Sequence, residues 1–315
     1  MLGYNQDLDG RAAARSSVLQ AFIGLIRTMR PKQWTKNIII YAGLVFDGQL
    51  LNTDAFLRVT LSFILLCLVA STIYIINDLV DIESDRQHPR KKLRALPSGQ
   101  LPVSLAVAAA VILPLVAFGI ALTYSLMFTV VMGAYFILHI LYSFVLKNIV
   151  ILDIMAITAG FVLRVYAGVV VISVAAFSPY LYACTAMLAL FLAIGKRRQE
   201  LAMLAENAHN VRVTYKDYNL PLLDDMLRLV TTSTFLIYLL YTIEAPTIRV
   251  ADTNLALLTV PFVLYALFRY LYLIHVRNEG SAPDEVLLSD RPLLAAIILW
   301  GLTFVTIIYL PNIIG

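Results

Sequence analysis

VTLSFILLCLVASTIYIINDLVDIESD, residues 59–85, is the stretch of sequence that decides the fold. Residues 59–76 carry no charge, and the segment is close in length to the roughly 20 apolar residues that cross a hydrocarbon core as a helix. The polar residues 77–85 follow it directly. The stretch therefore predicts a membrane-spanning helix with a cluster of acidic side chains at one end.

The whole chain has the composition of an integral membrane protein. Of its 315 residues, 60% are apolar and 14% are charged, and the mean hydropathy is +0.82. This composition excludes an ordinary soluble domain. Residues 95–146, 165–195 and 292–315 contain no Asp, Glu, Lys or Arg. We therefore predict an all-α, polytopic membrane protein with nine transmembrane helices. The predicted helices are 31–51, 55–80, 102–123, 126–146, 151–172, 178–195, 222–243, 254–275 and 292–311.

The distribution of basic residues predicts the orientation in the membrane. Lysine and arginine are concentrated in alternate loops, while Arg58 and Arg249 fall on the opposite side. The positive-inside rule then places the N-terminus in the cytosol, with the active site facing the cytosol from the plasma (inner) membrane. Anionic lipids account for the basic pI without nucleic acid; the oligomeric state stays open, homo-oligomers included. The predicted organisation is a polar cytosolic tail at 1–20 and a single catalytic domain at 21–315, with cytosolic loops near 82–101 and 196–221.

Four polar side chains share one face of the second predicted helix. At about 100° per residue, Asn77, Asp81 and Asp85 lie above one another, with Asp78 adjacent to Asp81. Carboxylates this close repel one another unless a cation lies between them, and oxygen ligands suit Mg²⁺, which also bridges substrate phosphates. We predict these four residues as metal ligands. The alternative is a solvated helix end, where acidic residues are common.

A dense basic loop follows the acidic face directly. Its cations are Arg86, Arg90, Lys91, Lys92 and Arg94. A diphosphate that contacts Mg²⁺ on one side and cationic side chains on the other fits this arrangement. We therefore predict that the segment binds a magnesium diphosphate.

The order of the acidic residues is similar to a known signature. Asn-Asp-x-x-Asp-x-x-x-Asp, at the end of the second of nine helices, resembles the first motif of the UbiA-type intramembrane prenyltransferase superfamily. The resemblance covers nearly the whole chain. It implies a UbiA-like helical bundle that binds a diphosphate in a cytosol-facing cavity.

The loop after the sixth predicted helix departs from the prenyl-transferring members. The resemblance implies a second aspartate-rich motif there, but residues 195–200 read Gly-Lys-Arg-Arg-Gln-Glu. Lys196 and Arg197 lie within one helical turn of Glu200. A basic site beside a magnesium site favours a substrate that has a second, metal-free phosphate. The alternative is an ordinary positive-inside loop whose cations extend to the membrane interface.

Further segments are similar to the polyprenyl-phosphate phosphoribosyltransferase branch of the superfamily. They are residues 30–37, 142–148, 152–164 and 280–291. The resemblance implies that 5-phosphoribosyl 1-diphosphate donates its phosphoribosyl group to a polyprenyl (decaprenyl-like) phosphate. Diphosphate is released, and the product is a lipid-linked pentose donor for cell-wall biosynthesis.

The site residues combine the charge pattern with this resemblance. The predicted catalytic residues are Asp78, Asp81, Asp85 and Lys147. The predicted substrate-binding residues are Lys32, Lys36, Asn37, Asn77, Arg86, Lys91, Lys92, Tyr142, Asp153, Arg164, Lys196, Arg197 and Glu200. Of these, Lys196 and Arg197 are expected to hold the ribose 5-phosphate.

Two of these positions have alternatives. Asp153 and Arg164 are eleven residues apart, which places them on nearly the same helix face about 16 Å apart along the axis. An arginine at mid-bilayer depth is costly and faces a polar cavity or a partner. Arg164 therefore either lines the cavity or makes a structural pair, and Lys147 either binds a phosphate or anchors its helix at the interface.

The alternative function is a prenyltransferase that moves a prenyl group from prenyl diphosphate to an aromatic acceptor. It requires a second acidic cluster, for which Asp217, Asp224 and Asp225 are the nearby candidates, but their spacing does not suit chelation by one helix. A transporter or scaffold is a further alternative, and it would place ion-binding residues at mid-membrane rather than at the cytosolic edge.

Overall fold

The structure, a computed structural model, describes residues 18–88, 91–172, 178–204, 213–244, 254–279 and 283–314. All regular elements within these ranges are helical, as predicted. The α-helices are α1 (Val18–Met29), α2 (Ala42–Phe46), α3 (Thr53–Val80), α4 (Ile82–Gln87), α5 (Val103–Tyr124), α6 (Leu126–Phe144), α7 (Leu152–Val169), α8 (Pro179–Leu204), α9 (Leu220–Glu244), α10 (Val260–Tyr272), α11 (Pro283–Ser289) and α12 (Arg291–Ile314). The principal 3₁₀ helices are Pro31–Tyr41, Lys91–Leu93, Leu146–Asn148, Val213–Lys216 and Leu255–Thr259, and a π-helix, Leu273–Arg277, extends α10.

Eight helices within the described ranges are long and apolar enough to cross a membrane. They correspond to the second to ninth predicted helices, because a bilayer demands an uninterrupted apolar length that hydropathy detects. The protein is therefore a multi-pass membrane protein. The count of nine spans and the side of the N-terminus stay predictions. Of the predicted segments, residues 1–17 of the tail, 89–90 and 205–212 of the two loops, and 280–282 lie outside the described residues.

The first predicted helix, 31–51, has a different local structure from the α-helix expected. It consists of the 3₁₀ helix Pro31–Tyr41 followed by the short α2, and the chain turns at Gly48, whose φ is +71°. Residues 38–40 are three consecutive isoleucines, and β-branched side chains lose rotamer freedom in an α-helix. Because a 3₁₀ helix rises about 2.0 Å per residue, Pro31–Tyr41 and α2 together cover about 30 Å, which is the thickness of a hydrocarbon core.

The described chain forms two compact units. One comprises residues up to 38 and 60–136, and the other comprises 39–59 and 137–315. In the first unit, buried alanines of α5 allow close helix packing beside Met29, Ile75 and Leu101. The prediction of one catalytic domain stays a prediction.

The second unit contains α7 to α12. One core cluster is built around Phe191, Leu223 and Tyr270, and an aromatic cluster surrounds Phe304. Gly168 marks a close backbone approach, because a β-carbon there would lie 1.9 Å from the carbonyl oxygen of Ile40. This unit brings the start of α7 and the C-terminal part of α8 together. The predicted site residues Asp153, Arg197 and Glu200 are thereby positioned close to one another.

Candidate active site

The acidic residues lie where α3 passes into α4 through a turn at Asp81. Backbone hydrogen bonds from Asp81 N to Asn77 O (3.0 Å) and from Asp85 N to Asp81 O (2.8 Å) continue the helical pattern through this turn. Asp78 and Asp85 are 4% and 0% exposed, whereas Asn77 and Asp81 are half-buried. The segment thus buries two carboxylates at the end of a membrane-spanning helix.

Two arginines bind the buried carboxylates. Arg30 Nη2 lies 2.7 Å from Asp78 Oδ1. Arg94 Nη1 bridges the two acids, at 3.3 Å from Asp78 Oδ1 and 2.6 Å from Asp85 Oδ2. Lys91 Nζ lies 3.4 Å from Asp85 Oδ1. Because burying an unpaired carboxylate is costly, these cations account for the burial of the acidic pair.

Neither arginine was among the predicted site residues. Arg94 belongs to the same basic loop as Lys91, and that run of charge was the available signal. Arg30 is 48 positions from Asp78 in the sequence, and no local pattern links the two. Its backbone is left-handed, with φ 54°, and its guanidinium carbon lies 4.8 Å from the centroid of the Tyr74 ring. Since a positive φ is uncommon outside glycine, the turn after α1 adopts a costly conformation that brings Arg30 to the acidic pair.

The acidic segment offers oxygen ligands but not a complete metal cage. Across the described ranges, no three Asp, Glu, His or Cys side chains lie close enough together to hold a metal ion. Asp78 and Asp85 are brought together through Arg94, and Asp85 Oδ1 is buried and accepts no hydrogen bond from the described residues. Such a pair fits Mg²⁺, which keeps several waters and binds through one or two carboxylates plus substrate phosphates. The convergence of all four predicted ligands stays a prediction.

The other predicted residues of this region differ in accessibility. Arg86 pairs on the surface with Glu83 at 2.7 Å. Asn37 is buried and donates from Nδ2 to Cys67 Sγ at 3.2 Å, so part of its hydrogen-bonding capacity serves packing. The exposed or half-buried lysines of the predicted set in this region are Lys32, Lys36, Lys91 and Lys92.

A second charged cluster lies where α7 packs on α8. Arg197 donates from Nε to Asp153 Oδ2 at 3.0 Å and from Nη1 to Glu200 Oε2 at 3.4 Å. The side chains of Arg197 and Asp153 are 1% and 0% exposed. Arg197 Nη2 is also buried, and it finds no hydrogen-bond acceptor among the described residues. Two carboxylates therefore hold this guanidinium inside the protein.

Two tyrosines extend the Arg197 cluster to the segment after α8. Tyr218 donates to Asp153 Oδ1 at 2.8 Å and accepts a hydrogen bond from Ile151 N at 2.8 Å. The Tyr215 hydroxyl donates to the Glu200 carboxylate. Burial raises the pKa of Tyr218 well above its usual 10.0, and the hydrogen bond to Asp153 acts in the same direction. These contacts fasten the segment that contains both tyrosines to the start of α7.

Lys196 and Lys147 are more accessible than Arg197. Lys196 is half-buried, with Nζ 3.7 Å from Glu200 Oε1. Lys147 is exposed in the 3₁₀ helix that follows α6, and Tyr142 is half-buried on α6 itself. The sequence grouped Lys196 with Arg197 as phosphate ligands. The structure distinguishes them, because one reaches the surface and the other is buried between carboxylates.

Arg164 is buried in α7, with its guanidinium carbon 5.1 Å from the centroid of the Phe161 ring. Gly160 lies one turn earlier. A β-carbon at this position would lie 2.6 Å from His139 Cε1 and 3.5 Å from Arg164 Nη1. The missing side chain therefore makes room for a histidine of α6 near Arg164. His139 gives no signal in the sequence, because a single histidine in an apolar helix forms no motif.

Two of the three candidate carboxylates for a second acidic motif, Asp224 and Asp225, are engaged with cations. Asp224 Oδ1 lies 2.6 Å from Arg198 Nε and 3.3 Å from His275 Nε2. Asp225 pairs on the surface with Arg228 at 3.0 Å. These acids do not form a metal cluster with other described residues.

A groove of about 510 Å³ opens between α9 and α10. Its walls include Leu227, Phe268 and Leu271, with Asp224 and His275 among its polar residues. None of the predicted site residues lines it. The groove is therefore not part of the candidate active site.

The family follows from comparison with known proteins. The model of the UbiA prenyltransferase family matches residues 37–289. The chain belongs to the UbiA prenyltransferase family.

Two bacterial relatives identify the branch of the family to which this chain is similar. The decaprenyl-phosphate phosphoribosyltransferase of Corynebacterium glutamicum is 31% identical over 292 residues, which cover 91% of this chain and 87% of that protein. The protein of the same name from Mycolicibacterium smegmatis is 30% identical over 301 residues, covering 91% and 92%. The predicted relation to this branch of the family is confirmed.

A solved structure supports the fold. A UbiA homolog from Archaeoglobus fulgidus bound to DMAPP and Mg²⁺ superposes with a TM-score of 0.67 at 18% identity, covering 90% of this chain and 98% of that chain. The predicted UbiA-like helical bundle is confirmed.

Proposed function

We propose that this protein transfers the 5-phosphoribosyl group of 5-phosphoribosyl 1-diphosphate to a polyprenyl phosphate and releases diphosphate. The observation that carries the proposal is the Arg197 cluster. Asp153 and Glu200 both bind Arg197, so the acids beside the loop after α8 are already paired with a cation. A metal-bound diphosphate would have to compete with Arg197 for these two carboxylates, whereas the accessible Lys196 would bind a sugar phosphate.

The similarity to the two bacterial relatives supports the same donor and acceptor. Both are named decaprenyl-phosphate phosphoribosyltransferase, and the matched regions cover about nine tenths of each chain.

The acidic segment is the proposed site for the diphosphate of the donor. Asn77, Asp78, Asp81 and Asp85 would hold Mg²⁺, which when bound neutralises charge on the diphosphate that leaves. Lys91, whose Nζ lies 3.4 Å from Asp85 Oδ1, would contact the same phosphates. We assign the same role to Arg86 and Lys92.

The acceptor needs little activation. A bond forms between a lipid phosphate oxygen and C1 of the ribose, while the bond from C1 to the diphosphate oxygen breaks. The lipid phosphate is anionic at neutral pH, so no general base has to remove a proton. The protein would act chiefly by positioning the two anions, and Lys147 and Lys196 are accessible cations that would bind a phosphate.

The membrane supplies the lipid substrate directly. The outward faces of α5 and α6 are apolar and exposed, as expected for helices that contact lipid chains. We place the reaction at the cytosolic side of the cell membrane, because the acidic segment adjoins the basic loop that the positive-inside rule assigns to the cytosol. The product would be a lipid-linked pentose donor for the cell envelope.

A comparison of two donor and acceptor pairs tests the proposal. Purified protein with Mg²⁺ receives ribose-labelled 5-phosphoribosyl 1-diphosphate plus a polyprenyl phosphate, or labelled prenyl diphosphate plus an aromatic acid. We expect label in the lipid fraction from the ribose donor. Labelled prenyl transferred to the aromatic acid, with no lipid-linked ribose, would overturn the proposal in favour of the alternative.

An Asp81→Ala variant tests the metal assignment. We expect transfer to fall at least about a hundredfold, because a carboxylate that binds metal and donor is lost. Asp225→Ala is the matched control, since Asp225 forms an exposed surface pair with Arg228, and the transfer activity of this variant should be unchanged. Undiminished transfer by Asp81→Ala contradicts the assignment.

A further inference from the structure

The arginine side chains that bind Asp78 and Asp85 are more accessible to solvent than the two carboxylates are. Their own side chains are 6% and 0% exposed, whereas those of Arg30 and Arg94 are 34% and 35% exposed. The acids are therefore buried, while about a third of each arginine side chain reaches solvent at the rim of the protein. Rim side chains can change partner without any rearrangement of the buried helix end.

The position of Arg94 is the one a bridging cation would take. A single nitrogen, Nη1, contacts Asp78 Oδ1 and Asp85 Oδ2 at 3.3 and 2.6 Å. A metal ion that used both carboxylates would compete with this nitrogen for the same oxygens. Arg30 adds a second guanidinium contact to Asp78 Oδ1 at 2.7 Å.

We propose that Arg30 and Arg94 form an arginine latch on Asp78 and Asp85 that opposes the binding of Mg²⁺ alone. When the magnesium diphosphate arrives, the two guanidinium groups move from the carboxylates to the diphosphate oxygens. Metal and donor consequently enter together. The inference rests on the proposed function, because it takes a diphosphate as the ligand of this segment.

The chemistry of the guanidinium group supports the exchange. Its five N–H donors lie in one plane and match carboxylate and phosphate oxygens equally well. Arg30 and Arg94 can thus leave a carboxylate for a phosphate without losing charge-assisted hydrogen bonds. Mg²⁺ alone offers no such acceptor to the displaced arginines.

The charge balance of the segment points the same way. The three aspartates are Asp78, Asp81 and Asp85, and three cations lie against the buried pair, namely Arg30, Lys91 and Arg94. A bare divalent cation therefore meets no net negative charge. A complex that carries its own phosphate oxygens brings the acceptors that the displaced cations need.

Binding of Mn²⁺ as a paramagnetic substitute for Mg²⁺ tests the latch without any turnover. Its affinity is measured by electron paramagnetic resonance for the intact protein and for Arg94→Gln, with and without inorganic diphosphate. For Arg94→Gln we expect about tenfold tighter binding of Mn²⁺ alone and about tenfold weaker binding of Mn²⁺ with diphosphate. The opposite signs are the signature of a latch.

Further variants keep the test decisive. Arg30→Gln should show both changes to a smaller extent, since Arg30 contacts one carboxylate. Arg94→Lys keeps the charge and serves if Arg94→Gln does not fold. Arg27→Gln is the matched control, because Arg27 is exposed and donates to Gln100 at 3.3 Å, and its affinities should not change.

The outcomes separate the latch from the proposed function. If Mn²⁺ affinity without diphosphate is unchanged or weaker in every folded Arg94 variant, the latch is wrong. If the intact protein binds no Mn²⁺ with diphosphate, the diphosphate site itself fails and the latch fails with it. If the intact protein binds this complex but the Arg94 variants do not show opposite changes, only the latch is overturned.

Discussion

The two charged clusters of this protein use similar ion pairs with opposite accessibility. In the acidic segment the carboxylates are buried, while the side chains of Arg30 and Arg94 are 34% and 35% exposed. In the cluster between α7 and α8, Arg197 and Asp153 are both buried, at 1% and 0%. The cation is at the rim in one cluster and inside the protein in the other.

This difference in accessibility distinguishes a cluster that can bind a ligand from one that stabilises the fold. A rim cation can exchange its carboxylate for a ligand phosphate, because solvent and ligand reach it. A buried cation cannot leave without exposing an unpaired carboxylate to a low-dielectric interior. We therefore interpret Arg197 as a positioning residue that fixes α7, α8 and the following segment, and the Arg30–Arg94 region as the part of the protein that contacts substrate.

The largest expected effect is the loss of the buried arginine. Arg197→Leu should lower the apparent free energy of unfolding in detergent by about 3–5 kcal/mol, because Asp153 is left as an unpaired buried charge. Replacing both residues by leucine should restore much of this stability. Normal stability with greatly weakened donor binding would contradict the positioning role and make Arg197 a phosphate ligand.

An intermediate effect is expected at the tyrosine that joins this cluster. Tyr218→Phe removes a hydrogen bond to Asp153 and the acceptor of Ile151 N. We expect a loss of about 1–3 kcal/mol in the same unfolding assay. A loss in unfolding free energy of less than a few tenths of a kcal/mol would show that the segment after α8 is held by other contacts.

The same tyrosine gives this measurement a pH dependence. Since folding raises the pKa of Tyr218, its contribution is complete below the unfolded value of 10.0 and declines as the pH rises from there through the folded pKa. The intact protein should lose stability above pH 10 more steeply than Tyr218→Phe. Parallel pH profiles would contradict this.

The smallest effect is expected at an ion pair that is exposed to solvent. Arg228 and Asp225 form an ion pair whose side chains are 78% and 71% exposed. Arg228→Gln should change the unfolding free energy by no more than about 0.5 kcal/mol, since solvent screens such pairs. A loss comparable to that of Arg197→Leu would break the link between burial and stabilisation.

Hydropathy predicted most of the fold, because a bilayer imposes a length and polarity requirement on each span. Eight predicted spans correspond to observed apolar helices. The first segment was harder, since the choice between 3₁₀ and α geometry over Pro31–Tyr41 depends on local packing that an apolar run does not encode.

The candidate site was less predictable than the fold. Helical spacing placed Asp78 and Asp85 in one segment, and the structure joins them through Arg94. The contribution of Arg30 depends on a left-handed residue and a separation of 48 positions, which no periodicity reveals. Helical spacing likewise placed Arg197 beside Glu200, but no local pattern links Arg197 to Asp153, which lies 44 positions away.

The left-handed backbone of Arg30 matters for protein engineering. This residue joins α1 directly to the 3₁₀ helix, so residues 18–30 do not form an appendage that can be trimmed freely. A shortened version that starts at Pro31 would keep every apolar span yet lose the guanidinium 2.7 Å from Asp78 Oδ1. Affinity tags and fusion partners are therefore better placed before Val18, where α1 begins.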